Sequence, residues 1–199
     1  MKILVIDDSG DNQAAARAQL KDHDTTVVGS YDEGQNLVGM SHRFDVVLVD
    51  LLMPASRQMQ GPRGMGFVGE EMPIGIFLAL LAAKNGAKRV AVFTDSDHHV
   101  HPASACLDAF NEGEGCPTPF TVAGAQMILS NTRGWVNNFR PENLTEEMSY
   151  EEYGVQKKPS VRAKNWRELL GYLIKCEPKT DDGGDGKGGG KTPLKGKRL

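Results

Sequence analysis

Apolar residues fall along this chain in short blocks that end on acids. Residues 2–8, KILVIDD, are apolar from Ile3 to Ile6 and stop on Asp7 and Asp8. Residues 45–54, DVVLVDLLMP, run apolar from Val46 to Val49, meet Asp50, and turn away at Met53–Pro54. Residues 89–95, RVAVFTD, close on Thr94 and Asp95. Blocks that are apolar throughout, rather than alternating, are what strands of a parallel sheet covered on both faces require. Helical stretches separate them. Residues 9–22 are alanine-rich, with Ser9 or Asp11 placed to cap the first turn. Residues 25–31 are β-branched and strand-like. Residues 32–40 form a weaker helix around Gly34, and residues 73–88 a stronger one between Pro73 and Gly86. Residues 125–131 supply a last strand. Strand and helix thus alternate, which predicts an α/β domain with its ligand site beyond the carboxyl ends of the strands. Asp7, Asp8, Asp50, Thr94 and Asp95 should meet at that edge.

The second half is less regular. A short helix is expected near 103–110, then a Gly/Pro-rich loop to 124. Residues 132–164 are polar and long for a connection. In 165–176, Trp166, Leu169, Leu170, Leu173 and Ile174 repeat at i, i+3, i+4, i+7 and i+8, one face of a helix. From 177 to 199 glycine and charge dominate without apolar periodicity, and disorder is expected. The expected domain is therefore 1–176, with a core in 1–131 and a final helix over 165–176.

Composition narrows the function classes. With 199 residues, 39% hydrophobic, 25% charged and a net charge of −3, nothing draws the chain toward nucleic acid or an anionic membrane. Cys106, Cys116 and Cys176 are far apart and make no C-x-x-C pair, so reduced thiols are expected. The run at 74–83 is too short to cross a bilayer, and no signal-peptide core follows Met1, so a cytoplasmic protein is expected.

Acids crowded at one strand edge repel one another, and a hard divalent cation relieves that repulsion. Beside such a cation a carboxylate can accept a phosphoryl group, with a neighbouring hydroxyl as donor. Here the chain resembles the receiver domain of two-component response regulators, through ILVIDDS, DVVLVDLLMP, VAVFTD and, more faintly, GAQMILSN, in that order. The resemblance implies a flavodoxin-like, doubly wound five-stranded parallel sheet of order 2-1-3-4-5, with insertions at its carboxyl edge. It implies Asp7, Asp8, Asp50 and the backbone carbonyl of Leu52 as Mg2+ ligands, Asp50 as phospho-acceptor and Thr94 as switch hydroxyl. It implies as partners a sensor histidine kinase or phosphotransfer protein and a downstream protein target, without membrane or nucleic acid.

The chain departs from the family pattern at two kinds of place. Asn131 falls where the family carries a lysine; an amide donates a hydrogen bond but brings no charge, and Arg133 is the nearest cation in sequence. Stretches 55–72 and 96–123 are inserted over the expected site. Two rival readings follow: a phosphorylation-independent pseudo-receiver used as a binding module, or a metal-dependent phosphohydrolase drawing on His98 or His99. His98, His99 and His101 have no standard zinc spacing and read as a solvated loop. GPRGMG at 61–66 lacks the Lys-Ser/Thr of a phosphate loop and reads as a flexible loop.

Overall fold

Each apolar block becomes a strand. The computed structural model describes residues 1–39, 44–56, 58, 61–111, 116–139, 150–152, 155–157 and 161–176. Strands β1 (Lys2–Ile6), β2 (Asp24–Val28), β3 (Val46–Val49), β4 (Arg89–Phe93), β5 (Phe120–Val122) and β6 (Ala125–Ser130) form one sheet of order β2-β1-β3-β4-β6-β5. All pairings are parallel except β5 with β6. The protein is thus α/β with a mostly parallel central sheet. Its six strands exceed the expected five by β5, which occupies a stretch where the sequence pattern predicts only loop. Ala123 (φ 50°) and Gly124 (φ 83°) turn β5 directly into β6. Two successive positive φ values are what a two-residue hairpin demands.

Both faces of the sheet are covered. Residues of one parity, Leu4, Ile6, Val47, Val49, Val90, Val92, Met127 and Leu129, pack with Val38 of α2 (Tyr31–Val38) and Leu78, Ala79 and Ala82 of α3 (Gly75–Lys84). The other parity, Ile3, Val5, Val46, Leu48, Ala91, Phe93 and Ile128, packs on Ala15 and Ala16 of α1 (Gly10–Gln19) and on residues from the far end of the chain. Side chains on a strand alternate faces, so a strand buried on both sides must be apolar at every position. That explains the unbroken blocks.

A short helix, α4 (Pro102–Ala105), continues as a 3-10 turn over Cys106–Phe110. The last helix, α5 (Trp166–Lys175), buries Trp166, Leu169, Leu170 and Leu173; Ile174, expected on the same face, is exposed. Asn165 caps it, accepting from the Glu168 amide at 3.1 Å. Gly86 ends α3 with φ 91°, the left-handed residue that a helix C-terminus favours.

The long polar stretch before α5 also holds structure. Strands β7 (Val136–Phe139) and β8 (Val161–Lys164) pair antiparallel as a separate ribbon, and a second pair joins Tyr150–Glu152 to Val155–Lys157. A third pair, Met53–Pro54 with Glu71–Met72, brackets the stretch between them, in which GPRGMG runs into a 3-10 turn at Gly64–Phe67. Segment 177–199, expected to be disordered, lies outside the described residues. Among the described residues no helix is long and apolar enough to cross a membrane.

Candidate functional site

The acids that end β1 and β3 do meet. Strands β1 and β3 are neighbours in parallel register, Ile6 opposite Val49, so Asp7 and Asp50 leave the sheet side by side. Their backbones join the ladder there: the Asp50 amide donates to the Ile6 carbonyl at 2.8 Å and the Asp7 amide to the Val28 carbonyl at 3.1 Å. Asp7 is wholly buried, Asp50 6% exposed, and Asp8 points to solvent. Each of the three offers a carboxylate oxygen within 4.8 Å of the others.

The site holds a cation that the sequence pattern does not predict. Lys164, the last residue of β8, is fully buried, and its Nζ donates to Asp7 Oδ2 at 2.8 Å. The same Nζ lies 2.8 Å from Asp50 Oδ1 and 3.8 Å from Asp95 Oδ1. The position where the family carries lysine is therefore not the source of the charge. Asn131 instead donates to the Ser104 carbonyl at 2.9 Å and to Asp108 Oδ1 at 2.8 Å, which turns its amide away toward α4. The Arg133 guanidinium pairs with Asp97.

A buried ammonium needs fixed surroundings, because desolvating it costs several kcal/mol unless partners are in place. Asn12 of α1 supplies the fixing. Its Oδ1 accepts from the Lys164 backbone amide at 3.0 Å, and its Nδ2 donates to Asp7 Oδ2 at 3.2 Å. The Trp166 indole donates to the Asn12 carbonyl at 2.9 Å. The rings of Phe93 and Trp166 stand 5.6 and 5.5 Å from Nζ, within cation–π range. The Ser9 amide donates to Asp7 Oδ1 at 2.9 Å while its hydroxyl caps α1, so Asp7 is braced on both oxygens.

Electrostatics follow from this crowding. Burial pushes the Asp50 carboxyl up to about 7; Asp7 and Asp95 add to the rise and Lys164 opposes it. Burial alone would pull the Lys164 ammonium down, but Asp50, Asp7 and Asp95 outweigh it and hold the group above the ordinary lysine range. Partial desolvation, then Asp7, raises the Asp8 carboxyl; a backbone hydrogen bond and Lys164 oppose the rise, and Glu71 adds to it.

Thr94 follows β4 and is 1% exposed; its hydroxyl accepts from the Ser96 amide at 3.1 Å, and its own amide donates to the Ser130 carbonyl at 3.0 Å. Leu52 is buried in the turn after Asp50. His98 contacts Asp108 and His99, and neither histidine joins the three acids. Gly75, at the start of α3, lies against the Asp50 backbone: a Cβ there would fall 1.7 Å from the Asp50 carbonyl oxygen.

The residues fit a hard divalent cation. The donors are all oxygens, which suits Mg2+. Among the described residues one ammonium stands with four carboxylates, Asp7, Asp8, Asp50 and Asp95, which leaves the cluster short of positive charge. Asp50 Oδ1 is buried, and the one cation beside it, Lys164 Nζ at 2.8 Å, is shared with Asp7 and Asp95. A divalent cation beside Asp7, Asp8 and Asp50 would add the missing positive charge.

Comparison with protein-family models, curated proteins and solved structures finds no match to this chain.

Proposed function

We propose that the protein is a phosphorelay receiver: a single-domain response regulator that accepts a phosphoryl group on Asp50 and signals through protein partners. The observation that carries this reading is Lys164, whose ammonium stands 2.8 Å from both Asp7 and Asp50. Acid pair, acceptor and lysine are the four charged parts the chemistry needs. Three come from strand ends where the resemblance puts them, and the fourth arrives from β8. In the finer fold reading, the five parallel strands are a flavodoxin-like sheet of order 2-1-3-4-5, and β5 is an edge addition.

Mg2+ would be held by Asp7, Asp8, Asp50 and the Leu52 carbonyl, and when bound it neutralises charge on the phosphoryl oxygens. The chain's own residues do the rest. A carboxylate oxygen of ionised Asp50 attacks phosphorus of a phosphohistidine or acyl phosphate donor. One O–P bond forms, the donor's bond to phosphorus breaks, and the electron pair leaves with the donor. Lys164 pairs with the phosphoryl oxygens, having been held at Asp50 beforehand by Asn12 and Trp166. Preorganised charge of this kind costs no rearrangement during reaction. Thr94 gives up its Ser96 contact and donates to a phosphoryl oxygen. That movement biases a two-state equilibrium on the face around β4 and β6, where a downstream protein reads it. A histidine kinase or phosphotransfer protein is the expected donor.

Two observations favour the receiver over its rivals. A switchless pseudo-receiver rests on Asn131 in place of lysine and on the stretches 55–72 and 96–123, and Lys164 supplies the charge that Asn131 lacks. A phosphohydrolase would use Asp7, Asp8 and Asp50 with His98 or His99, but His98 bonds to Asp108 and to His99, away from the three acids.

Incubation with acetyl phosphate and Mg2+, followed by intact mass measurement, tests the proposal. Wild type should gain one phosphoryl group and Asp50→Asn none. Lys164→Met should gain it at a rate lower by at least about tenfold, the loss of one charge-stabilising partner. A wild type that stays unlabelled with Mg2+ present contradicts the reading.

A further inference from the structure

We propose a second metal site, for a borderline divalent ion such as Zn2+, formed by Asp97, His98 and His99. It stands apart from the acid cluster and does not depend on the phosphoryl reading. The three residues each bring a ligand atom within 4.8 Å of the others. The ring nitrogens set the geometry. His98 Nε2 and His99 Nε2 face each other at 2.9 Å, with ring centroids 4.0 Å apart and planes at 65°. Two imidazole nitrogens bound to one zinc at about 2.0–2.1 Å in tetrahedral geometry stand roughly 3.3 Å apart. The observed pair needs to open by less than about half an ångström to admit the ion.

The neighbours of these rings resemble the support a metal ligand receives. His98 Nδ1 lies 2.8 Å from Asp108 Oδ2, and Asp108 Oδ1 accepts from Asn131 Nδ2 at 2.8 Å. An imidazole that gives its Nδ1 proton to a carboxylate keeps a lone pair on Nε2 and orients it. Asn131 thus positions Asp108, and Asp108 positions His98. His101 is outside the set, because its Nδ1 accepts from the Ala103 amide and caps α4. Asp97 accepts from the His99 amide at 3.0 Å and from Arg133, which fixes its carboxylate beside the rings. Two imidazoles and one carboxylate on a solvent-facing loop leave positions open for water, a donor set that suits zinc and not magnesium.

The site also has a place in the fold. It begins two residues after Asp95, whose carboxylate is 3.8 Å from Lys164 Nζ. A metal at His98 and His99 would tether the loop that leaves β4 immediately beyond Thr94.

Zn2+ titration followed by calorimetry, in buffer holding excess Mg2+, tests the site on the full chain, with Co2+ absorption as a second readout. Wild type should bind Zn2+, and the Co2+ form should show visible bands of low-coordinate imidazole ligation. His98→Ala and His99→Ala should each weaken Zn2+ by more than about 100-fold, beyond the 10- to 100-fold expected when only an outer partner is lost. Asp108→Ala should fall within that 10- to 100-fold range. His23→Ala, a surface histidine elsewhere, should bind as wild type does. The histidines lie on an exposed loop, and unchanged far-UV dichroism verifies the variants' fold. Zn2+ affinity unaffected by either His98→Ala or His99→Ala, or no binding by wild type, overturns the proposal.

Discussion

Asp50 and Lys164 share one small volume, and its charge balance sets how the site responds to pH. A carboxyl with a folded value of about 7 against an ordinary 3.8 holds a proton in the native state that the unfolded chain releases. The contribution of Asp50 to stability therefore falls as pH rises from about 4 to about 7 and levels above that, since this group binds more protons in the native state across the window. Without divalent cations, urea denaturation should show wild type losing stability relative to Asp50→Asn, which has no proton to lose, as pH rises through this window; a difference that does not change with pH would place the titrating group elsewhere. The acids were legible from sequence because each ends an apolar run, where an unpartnered carboxylate is costly. Lys164 was not. Its partner Asp7 is 157 residues away, and no local pattern encodes a contact of that span. In hindsight its place at a strand end, next to the Asn165 cap, is the one local sign.

Among the secondary-structure elements, the site depends on how closely α3 approaches the strand that carries Asp50. The Gly75 amide donates to the Leu51 carbonyl at 3.0 Å, so the helix start is bonded to the residue after Asp50. Any side chain at 75 must push α3 or the Asp50 backbone away. Gly75→Ala should lower stability by about 1–3 kcal/mol or more, the cost of overpacking, and should reduce Mg2+-dependent stabilisation as well. Thermal melts with and without Mg2+ separate the two effects. Gly34 is tight too, but there a Cβ would meet the flexible ends of Ile6 and Leu78 rather than backbone. The helices and parallel strands were readable because apolar blocks, caps and breakers are local signals. Ribbon β7–β8 was not, because its pairing joins residues on either side of a long polar stretch, and β-pairing across such a separation leaves little trace in composition.

For the whole molecule, the end of the chain completes both the core and the site. Trp166, Leu169, Leu170 and Leu173 cover one face of the sheet, against Phe93 and Ile128. Burying side chains of this size contributes about 1.5–3 kcal/mol each, a large share of the 5–15 kcal/mol that holds a domain together. A chain ending at residue 131 should therefore lack a cooperative urea transition, and cooperative unfolding of that fragment would show that the far segment only decorates a finished fold. The same segment brings Lys164 to the acids, so folding and charge arrive together. On the proposed function, Asp50, held beside Lys164, is the residue that takes the phosphoryl group. Borohydride reduction of the protein after acetyl phosphate and Mg2+ treatment, with peptide sequencing, tests it most directly, since reduction of an aspartyl phosphate leaves homoserine at the labelled position. Homoserine at position 50 alone is the predicted result; homoserine at another acid, or at none, would contradict it.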